Sequence, residues 1–360
     1  MDRRDRRRKR RVRNQIISYI VAVVLLAGLV TGGFFGVRHI SNAMEEKKQQ
    51  EESRAQEESQ AQAEAEEQNG TETETAGEAA TETESVQTQE EILEELVESC
   101  VANMSLEDKV AGLFFITPEQ LTGVGTAIQA GEGTQEALKK YPVGGLVYFA
   151  KNIQSEEQLT EMLSKTTGYA TYPLFLGVDE EGGTVARVAD QLKLANVGPM
   201  ADIGAGGDPN AAYAAGQTIG SYLKGYGFNL DFAPVADVNT NPDNPVIGTR
   251  AFSSEPQTAA DLVGGACAGF ADAGIACTLK HFPGHGDTSE DTHVGTVTLN
   301  KTLDDLRSCE LVPFAQNVNN APLIMAAHIT VPQVTGDDTP ASLSSVMLTD
   351  LLRGSWAIRA

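Results

Sequence analysis

The feature of this sequence that most constrains its fold is the alternation, from Glu91 onward, of short apolar runs with longer amphipathic stretches. The apolar runs are continuous, as in parallel strands that are buried on both faces. The predicted strands are Gly112–Ile116, Gly145–Phe149, Leu174–Val178, Leu230–Val235, Ile275–Lys280 and Leu323–Ala327. The predicted helices are Ser155–Gly168, Pro209–Gly225, Pro256–Gly274, Leu303–Asn319 and a last one from Ser342 toward Arg353. This alternation predicts an α/β fold, either an open doubly wound sheet or a barrel.

The composition is uneven along the 360 residues. Residues 1–15 are basic, residues 16–37 are apolar, and residues 38–91 are polar and rich in glutamate. Residues 92–360 have an ordinary globular composition and are the only part that can bury one large core. Their number is close to the roughly 250 residues of a typical (β/α)8 barrel, so we predict one globular domain there.

Residues 16–37 are predicted to form one transmembrane helix. They contain no charged side chain and would span roughly 33 Å as a helix, enough to cross a hydrocarbon core. The basic cluster before them and the glutamate-rich run after them predict a cytoplasmic N-terminus and an extracytoplasmic globular domain. A cleaved signal peptide is the alternative, but its apolar region would be shorter, about 7–15 residues. We therefore predict an uncleaved signal anchor in the cell membrane, followed by a disordered or extended linker over residues 38–91.

The net charge of −23 excludes one class of partner. An acidic globular domain offers no basic surface to nucleic acid, whose phosphates it would repel. No glycine-rich dinucleotide-binding motif begins any of the predicted strand–helix units. The four cysteines contain no CxxC pair, and a core of this size does not require disulfides, so we predict none. No protein partner is predicted.

Polar residues follow the ends of the predicted strands. They are Asp179, Asp237, Asn239, Lys280, His281 and His328. In a parallel barrel these strand ends share one face, which is where active sites are built. Two of these positions have simpler interpretations: Asp179 could form a framework ion pair with Arg187, and we favour a buried core histidine for His328.

The densest cluster of reactive side chains is Leu279–His293, with three of the five histidines of the chain. Candidate metal ligands in and around it are His281, His285, His293, Asp287 and Asp291. Pro283 and Gly284 argue against a metal site, because they prevent the first two histidines from sharing a helical face. The segment could also be a capping loop with surface histidines. In a third interpretation Asp291 hydrogen-bonds His293 and raises its basicity, which makes an acid–base pair.

Three segments together resemble one enzyme family. Residues 280–293, KHFPGHGDTSEDTH, are similar to a long histidine loop, residues 176–187 to a V-D-x-E-G-G-x-V-x-R segment, and residues 244–252 to a V-I-G-x-R-x-F segment. Ala326–His328 and Pro340–Ser344 also match. These segments resemble the β-N-acetylglucosaminidase branch of glycoside hydrolase family 3, over roughly residues 105–353.

The resemblance implies a (β/α)8 barrel that removes terminal β-linked N-acetylglucosamine or another N-acetylhexosamine from glycosides such as peptidoglycan or chitin fragments. It implies a retaining mechanism without metal or other cofactor, in which His293 is the acid/base and Asp291 is its partner. The sugar ligands that it implies are Asp179, Arg187, Arg250, Lys280 and His281. A β-glucosidase of the same superfamily is less consistent, because that branch lacks the His–Asp loop.

A retaining glycosidase also needs a carboxylate nucleophile, about 5 Å from the acid/base. The resembled family supplies it from an Asp-Asp pair at the end of the strand that follows the Ala-His segment. In this sequence residues 354–360 read GSWAIRA, without that strand, and Asp337 and Asp338 lie on a predicted loop. We therefore expect about six of eight barrel strands and no nucleophile within residues 1–360. The alternative function is a catalytically inactive surface protein that at most binds amino sugars.

Overall fold

The computed structural model describes residues 88–290, residue 295 and residues 297–354. The predicted cytoplasmic tail, the predicted transmembrane segment 16–37 and nearly all of the predicted linker lie outside the described residues. Asp291 and His293 lie outside them as well. Across the described ranges, no helix combines the length and the apolar character that crossing a membrane requires.

Strands and helices alternate through most of the described chain. The strands are β1 (Phe115–Ile116), β2 (Gly145–Tyr148), β3 (Phe175–Val178), β4 (Glu180–Gly182), β5 (Val185–Ala186), β6 (Leu230–Asp231), β7 (Thr278–Phe282), β8 (Val297–Thr298), β9 (Leu323–Ala326) and β10 (Ile329–Thr330). The helices are α1 (Gln89–Asn103), α2 (Leu106–Ala111), α3 (Pro118–Thr122), α4 (Glu132–Lys140), α5 (Glu156–Tyr169), α6 (Arg187–Leu192), α7 (Met200–Gly204), α8 (Pro209–Tyr226), α9 (Pro256–Asp272), α10 (Leu303–Ser308), α11 (Val312–Asn317) and α12 (Pro332–Thr335). A π-helix, Val346–Arg353, ends the described chain.

Six of these strands form a parallel sheet whose order follows the chain. β1, β2, β3 and β6 pair in that order, and β7 pairs with β9. Two parallel bridges, from Leu230 to Ala276 and from Val235 to Lys280, join the region of β6 to that of β7. A doubly wound sheet would reverse its strand order at a switch point, whereas a barrel keeps it. The six predicted strands are thus confirmed in existence and order, and the sheet is of the barrel type.

The bounds of β6 differ from the prediction because a proline interrupts its pairing. The predicted strand Leu230–Val235 is observed as Leu230–Asp231, since Pro234 has no N–H to donate to a neighbouring strand. Val235 still pairs with Lys280 through an isolated bridge. The polar residues that follow β6 therefore remain next to β7.

Three long helices lie within two residues of the prediction because their ends carry strong signals. The Ser155 side chain caps α5 by accepting from the Gln158 N–H, and Asp208 caps α8 just before its proline. The predicted helix Leu303–Asn319 is wrong as a single element, because α10 ends at Ser308 and a second helix, α11, begins at Val312 with Pro313 in its first turn. Proline lacks the N–H that a helix interior needs.

Helices α8 and α9 approach each other closely behind the strands that carry the polar residues. A Cβ atom on Gly269 would lie 2.2 Å from the backbone oxygen of Tyr213, and one on Gly216 would lie 2.4 Å from that of Ala266. Only glycine permits such contact between helix backbones. Their packing fixes the positions of the segments that follow each helix, β6 after α8 and β7 after α9.

Within the described residues, β1 and β9 each pair with one parallel neighbour. Phe115 at the start of β1 and Phe175 at the start of β3 stack with ring centroids 5.6 Å apart. Each of these rings is more than a third exposed, at 38% and 39%. Apolar surface near the β1 edge is therefore not covered by the described part of the chain.

Candidate active site

Charged side chains meet at the ends of three barrel strands. Most of these side chains are buried. Asp179 directly follows β3, and Glu181 lies in the short β4 strand after it. Lys280 lies within β7, and Asp237 follows β6. Lys280, Glu181 and Asp237 have side chains that are 2% exposed or less. Buried charges require partners, so the contacts among these groups define the site.

Lys280 is the centre of the cluster. Its Nζ lies 2.8 Å from Asp179 Oδ1 and 2.5 Å from Glu181 Oε1. Burial alone would lower the pKa of Lys280, but the two carboxylates outweigh it, so the pKa is raised. The ammonium group is therefore charged at neutral pH and has three N–H donors, of which these contacts use two.

Arg250 is held against Glu181 by a bidentate contact. Its Nε donates to Glu181 Oε2 at 2.7 Å and its Nη2 donates to Oε1 at 2.8 Å. Its Nη1 donates to the backbone oxygen of Val246 at 3.0 Å. Burial alone would raise the pKa of Glu181, but Lys280 and Arg250 lower it to about 2. Glu181 therefore stays ionised and fixes the plane of the guanidinium group.

His281 is oriented by Asp237. The His281 Nδ1 lies 2.7 Å from Asp237 Oδ2, and Asp237 Oδ1 accepts the backbone N–H groups of His281 and His285 at 3.2 and 2.7 Å. Although Asp237 is fully buried, His281 and these N–H groups lower its pKa. An ionised carboxylate only accepts hydrogen bonds, so Nδ1 carries the proton and Nε2 is left for a ligand.

Three of the five predicted sugar ligands, Asp179, Arg250 and Lys280, belong to the network around Lys280. A fourth, His281, follows Lys280 in the chain and pairs separately with Asp237. Arg187 is the first residue of α6, and its buried Nε has no hydrogen-bond partner among the described residues. No described hydrogen bond or ion pair joins Arg187 to Asp179, so the alternative framework pair is not seen in the described structure. The roles of Asp291 and His293, which lie outside the described residues, stay predictions.

The histidines of the loop do not converge on one point. The rings of His281 and His285 are 6.0 Å apart, and His285 Nδ1 contacts Thr288 Oγ1 at 2.6 Å. Asp287 pairs instead with Lys301 at 3.1 Å. Among the side chains that the structure describes, no group of three or more His, Cys, Asp or Glu is arranged to hold a metal ion.

His328 is exposed, and its Nδ1 contacts Ser342 Oγ at 2.7 Å. Our interpretation of His328 as a buried core histidine is therefore wrong, since its position one residue after the last barrel-strand run leaves the ring facing solvent. Asp337 lies on the loop where it was predicted, and its Oδ1 accepts the Thr339 N–H at 2.9 Å.

Two members of the cluster had no role in the sequence prediction, Glu181 and Asp237. Glu181 lies two residues after Asp179, a spacing that puts both side chains on the same side of an extended chain. Asp237 was noted only as a polar residue after a strand. Both could have been suspected from those signals, but their partners are distant in the sequence: Glu181 and Arg250 are 69 residues apart.

The cluster suits a neutral polyhydroxyl ligand. Lys280 and Arg250 carry two positive charges, which are opposed by the carboxylates of Asp179, Glu181 and Asp237. No excess of positive charge remains for a phosphate. Asp179 and His281 are the more accessible members, at 24% and 18% side-chain exposure. Rigid donors and acceptors of this kind bind hydroxyl groups through paired hydrogen bonds.

Comparisons with known proteins agree with this chemistry. Residues 105–358 match the glycosyl hydrolase family 3 N-terminal domain. A β-hexosaminidase from Stenotrophomonas maltophilia (strain K279a) is 37% identical over 247 residues, which are 66% of this chain and 71% of the relative. Beta-hexosaminidase A from Pseudoalteromonas piscicida is 36% identical over 239 residues, which are 61% of this chain and 40% of the relative.

Solved structures agree as well. A glycoside hydrolase family 3 β-N-acetylglucosaminidase from Paenibacillus sp. str. FPU-7 aligns with a TM-score of 0.66 and 35% identity, covering 71% of this chain and 48% of that one. NagZ from Neisseria gonorrhoeae, solved with N-trifluoroacetyl-D-glucosamine, aligns with a TM-score of 0.62 and 28% identity, covering 69% and 71%. The chain thus spans less than half the length of some relatives and about 70% of others. It belongs to glycosyl hydrolase family 3, and its relatives support the β-N-acetylglucosaminidase branch of that family.

Proposed function

We propose that this chain carries the sugar-binding barrel of a β-N-acetylhexosaminidase. It removes terminal β-linked N-acetylglucosamine or another N-acetylhexosamine from amino-sugar glycosides such as peptidoglycan or chitin fragments. The observation that carries the proposal is the buried Lys280–Glu181–Arg250 network, with Asp179 at its accessible side. It lies where parallel barrels build their active sites. The β-hexosaminidase relatives support the same substrate class.

The cluster recognises the terminal sugar through groups that are already in place. Asp179 accepts hydrogen bonds from sugar hydroxyl groups, while the remaining N–H of Lys280 and the edge of Arg250 donate to sugar oxygens. His281 adds Nε2 from the neighbouring position. Because ion pairs hold these groups before the substrate arrives, little side-chain freedom is lost on binding.

His293 is the proposed acid/base, with Asp291 as its partner. As a carboxylate bonds to the anomeric carbon, the glycosidic C–O bond breaks and His293 gives its proton to the departing oxygen. His293 then takes a proton from water, whose oxygen bonds to the anomeric carbon and displaces the carboxylate. The sequence of the histidine loop supports this assignment. A retaining reaction also needs a carboxylate nucleophile, which we assign to no residue within 1–360.

The barrel is proposed to lie outside the cytoplasm, tethered by the signal anchor at residues 16–37. The uncharged apolar run and the basic cluster before it support this topology. Protease added to intact cells is expected to remove the barrel and leave the N-terminal tail protected. A barrel that resists protease until the cells are lysed would contradict the proposed topology.

Release of nitrophenol from 4-nitrophenyl N-acetyl-β-D-glucosaminide tests the activity. A protein that carries this barrel together with the carboxylate nucleophile is expected to cleave this substrate and to leave the corresponding β-glucoside intact. His293→Ala is expected to lower the rate about 10²- to 10⁴-fold, the usual contribution of a general acid–base group. An unchanged rate in that variant would remove the dyad from the mechanism, and no release from the wild-type barrel in the presence of its nucleophile would contradict the hydrolase.

One observation favours a second candidate, a surface protein that binds amino sugars without cleaving them. Each carboxylate of the described cluster is already paired: Asp179 with Lys280, Glu181 with Arg250 and Lys280, and Asp237 with His281. None of the three is left unpaired to attack an anomeric carbon. Calorimetric binding of N-acetylglucosamine without nitrophenol release would favour this candidate.

A further inference from the structure

Three consecutive acidic residues, Asp179, Glu180 and Glu181, face in two directions. Asp179 and Glu181 contact Lys280, as an extended chain allows for residues two apart. Glu180 points away from them and is fully buried. A buried carboxylate that takes no part in the sugar-binding network needs another purpose.

Glu180 caps a helix. Its Oε2 accepts the Val188 N–H at 2.6 Å, and its Oε1 accepts the Ala189 N–H at 2.9 Å. These are the second and third residues of α6, whose own N-cap residue, Ala186, provides no side-chain hydrogen bond. The first N–H groups of a helix have no partner within it, so Glu180 satisfies them from a different segment.

Two further elements hold Glu180 in place. The Tyr222 hydroxyl, on α8, donates to Glu180 Oε1 at 2.7 Å. Asp231, on β6, accepts the Glu180 backbone N–H on its Oδ1 at 3.0 Å. Burial and the nearby Glu180 raise the pKa of Tyr222, so its hydroxyl stays protonated and donates. The start of α6 is therefore tied through Glu180 to both α8 and β6.

Arg187 is the residue that this arrangement positions. It is the first residue of α6, immediately before the two capped N–H groups. Its Nε is buried and has no hydrogen-bond partner among the described residues. A buried donor without a partner is costly in a folded protein, which points to a ligand that supplies the missing acceptor.

We propose that Tyr222 and Glu180 form a positioning pair that holds Arg187 for a hydrogen bond from its Nε–H to an oxygen of the bound amino sugar. This inference rests on the proposed function, because it takes an N-acetylhexosamine as the ligand. Neither Tyr222 nor Glu180 touches the sugar. Both act through the start of α6.

Calorimetric titration of the full chain with N-acetylglucosamine tests the pair through a double-mutant cycle. Tyr222→Phe keeps the ring and removes only the hydroxyl, so it is expected to weaken sugar binding about 5-fold. In an Arg187→Ala background the same change is expected to have no further effect, because the residue being positioned is gone. An equal loss in both backgrounds, or no loss in either, would overturn the inference.

Tyr213→Phe is the matched control. Tyr213 lies on the same helix, and its hydroxyl also contacts a carboxylate, that of Asp272 at 2.7 Å, but on the exposed side. It is expected to leave sugar affinity unchanged. A loss that matches that of Tyr222→Phe would show that the effect is one of α8 stability and would count against the pair.

Amide hydrogen exchange separates this inference from the proposed function. Without any sugar, Tyr222→Phe is expected to speed exchange at the Val188 and Ala189 amides, and Tyr213→Phe is expected to leave them unchanged. If the wild type does not bind N-acetylglucosamine, the proposed function fails while exchange still decides the positioning. Unchanged exchange at both amides in Tyr222→Phe would overturn the positioning of α6.

Discussion

Replacing Glu181 with glutamine tests whether the buried network holds the site together. The substitution keeps the size of the side chain and removes the charge that pairs with both Lys280 and Arg250. The pKa of Glu181 falls from 4.5 to about 2 in the folded chain. At 1.36 kcal/mol per pKa unit, this shift corresponds to about 3 kcal/mol of stability at neutral pH.

The known cost of breaking a buried ion pair is of similar size to this stabilisation. Removing one partner of a buried ion pair costs about 3–5 kcal/mol, because the other charge is left without compensation. The Glu181 and Lys280 side chains are 2% and 1% exposed, so solvent does little to screen their attraction. Asp179 still pairs with Lys280 after the change, which favours the lower end of the range.

Urea unfolding of the full chain at pH 7, followed by circular dichroism, measures the effect. Glu181→Gln is expected to lower the free energy of unfolding by about 3 kcal/mol. Glu161→Gln is the control, since that carboxylate pairs with Lys165 on the exposed face of α5. It is expected to change the free energy of unfolding by no measurable amount.

The stabilisation that Glu181 contributes should also depend on pH. Because the folded pKa of Glu181 is depressed, its contribution is complete above the unfolded value of 4.5 and is lost as the pH falls toward about 2. The difference between wild type and Glu181→Gln should therefore be constant from pH 7 to 5 and shrink below that. A difference under about 1 kcal/mol at pH 7, or one that stays constant down to pH 3, would contradict a stabilising role for the ionised Glu181.

Two further predictions concern the helix contact and the histidine. Gly269→Ala is expected to destabilise the chain by about 2 kcal/mol or more in thermal unfolding, since its Cβ would lie 2.2 Å from the Tyr213 oxygen. Gly168 lies on an exposed helix face, and a Cβ there would meet no neighbour, so Gly168→Ala should stabilise the chain by up to about 1 kcal/mol. Equal changes in stability from the two substitutions would contradict the close contact between α8 and α9. Asp237→Asn is expected to weaken N-acetylglucosamine binding about 10-fold, because His281 loses the charged acceptor that orients its ring. Unchanged affinity in the titration would exclude His281 as a ligand oriented in this way.

The fold was predictable where the sequence carries local signals, which are apolar runs for buried strands and capping residues for helix starts. Continuous apolar runs identified all six parallel strands, and capping residues such as Ser155 and Asp208 located helix starts. The bounds of β7 were less accurate: Ile275–Lys280 was predicted and Thr278–Phe282 is observed. Where a strand pairs depends on its neighbour, here β9, and an apolar run by itself does not contain that information. Pro313 was visible in the sequence and should have divided the predicted helix Leu303–Asn319, which is interrupted between Ser308 and Val312.

The site was predictable as a set of residue types and less so as a set of contacts. Position in a motif and at strand ends identified Asp179, Lys280 and His281. The same signals did not reveal that Glu181 binds Arg250, because that contact depends on how β4 and a distant turn meet in space. The capping role of Glu180 was hidden for the same reason, since its partners are on other elements.

Titration of N-acetylglucosamine into the full chain and into Lys280→Met tests whether Lys280 is needed for sugar binding. We propose that the buried ammonium group, held by Asp179 and Glu181, forms the core of an amino-sugar site. We expect saturable binding of N-acetylglucosamine to the wild type and weaker binding of glucose. We expect no measurable binding of either sugar to a Lys280→Met variant that is still folded by circular dichroism. Equal affinity in the wild type and a folded Lys280→Met would contradict it.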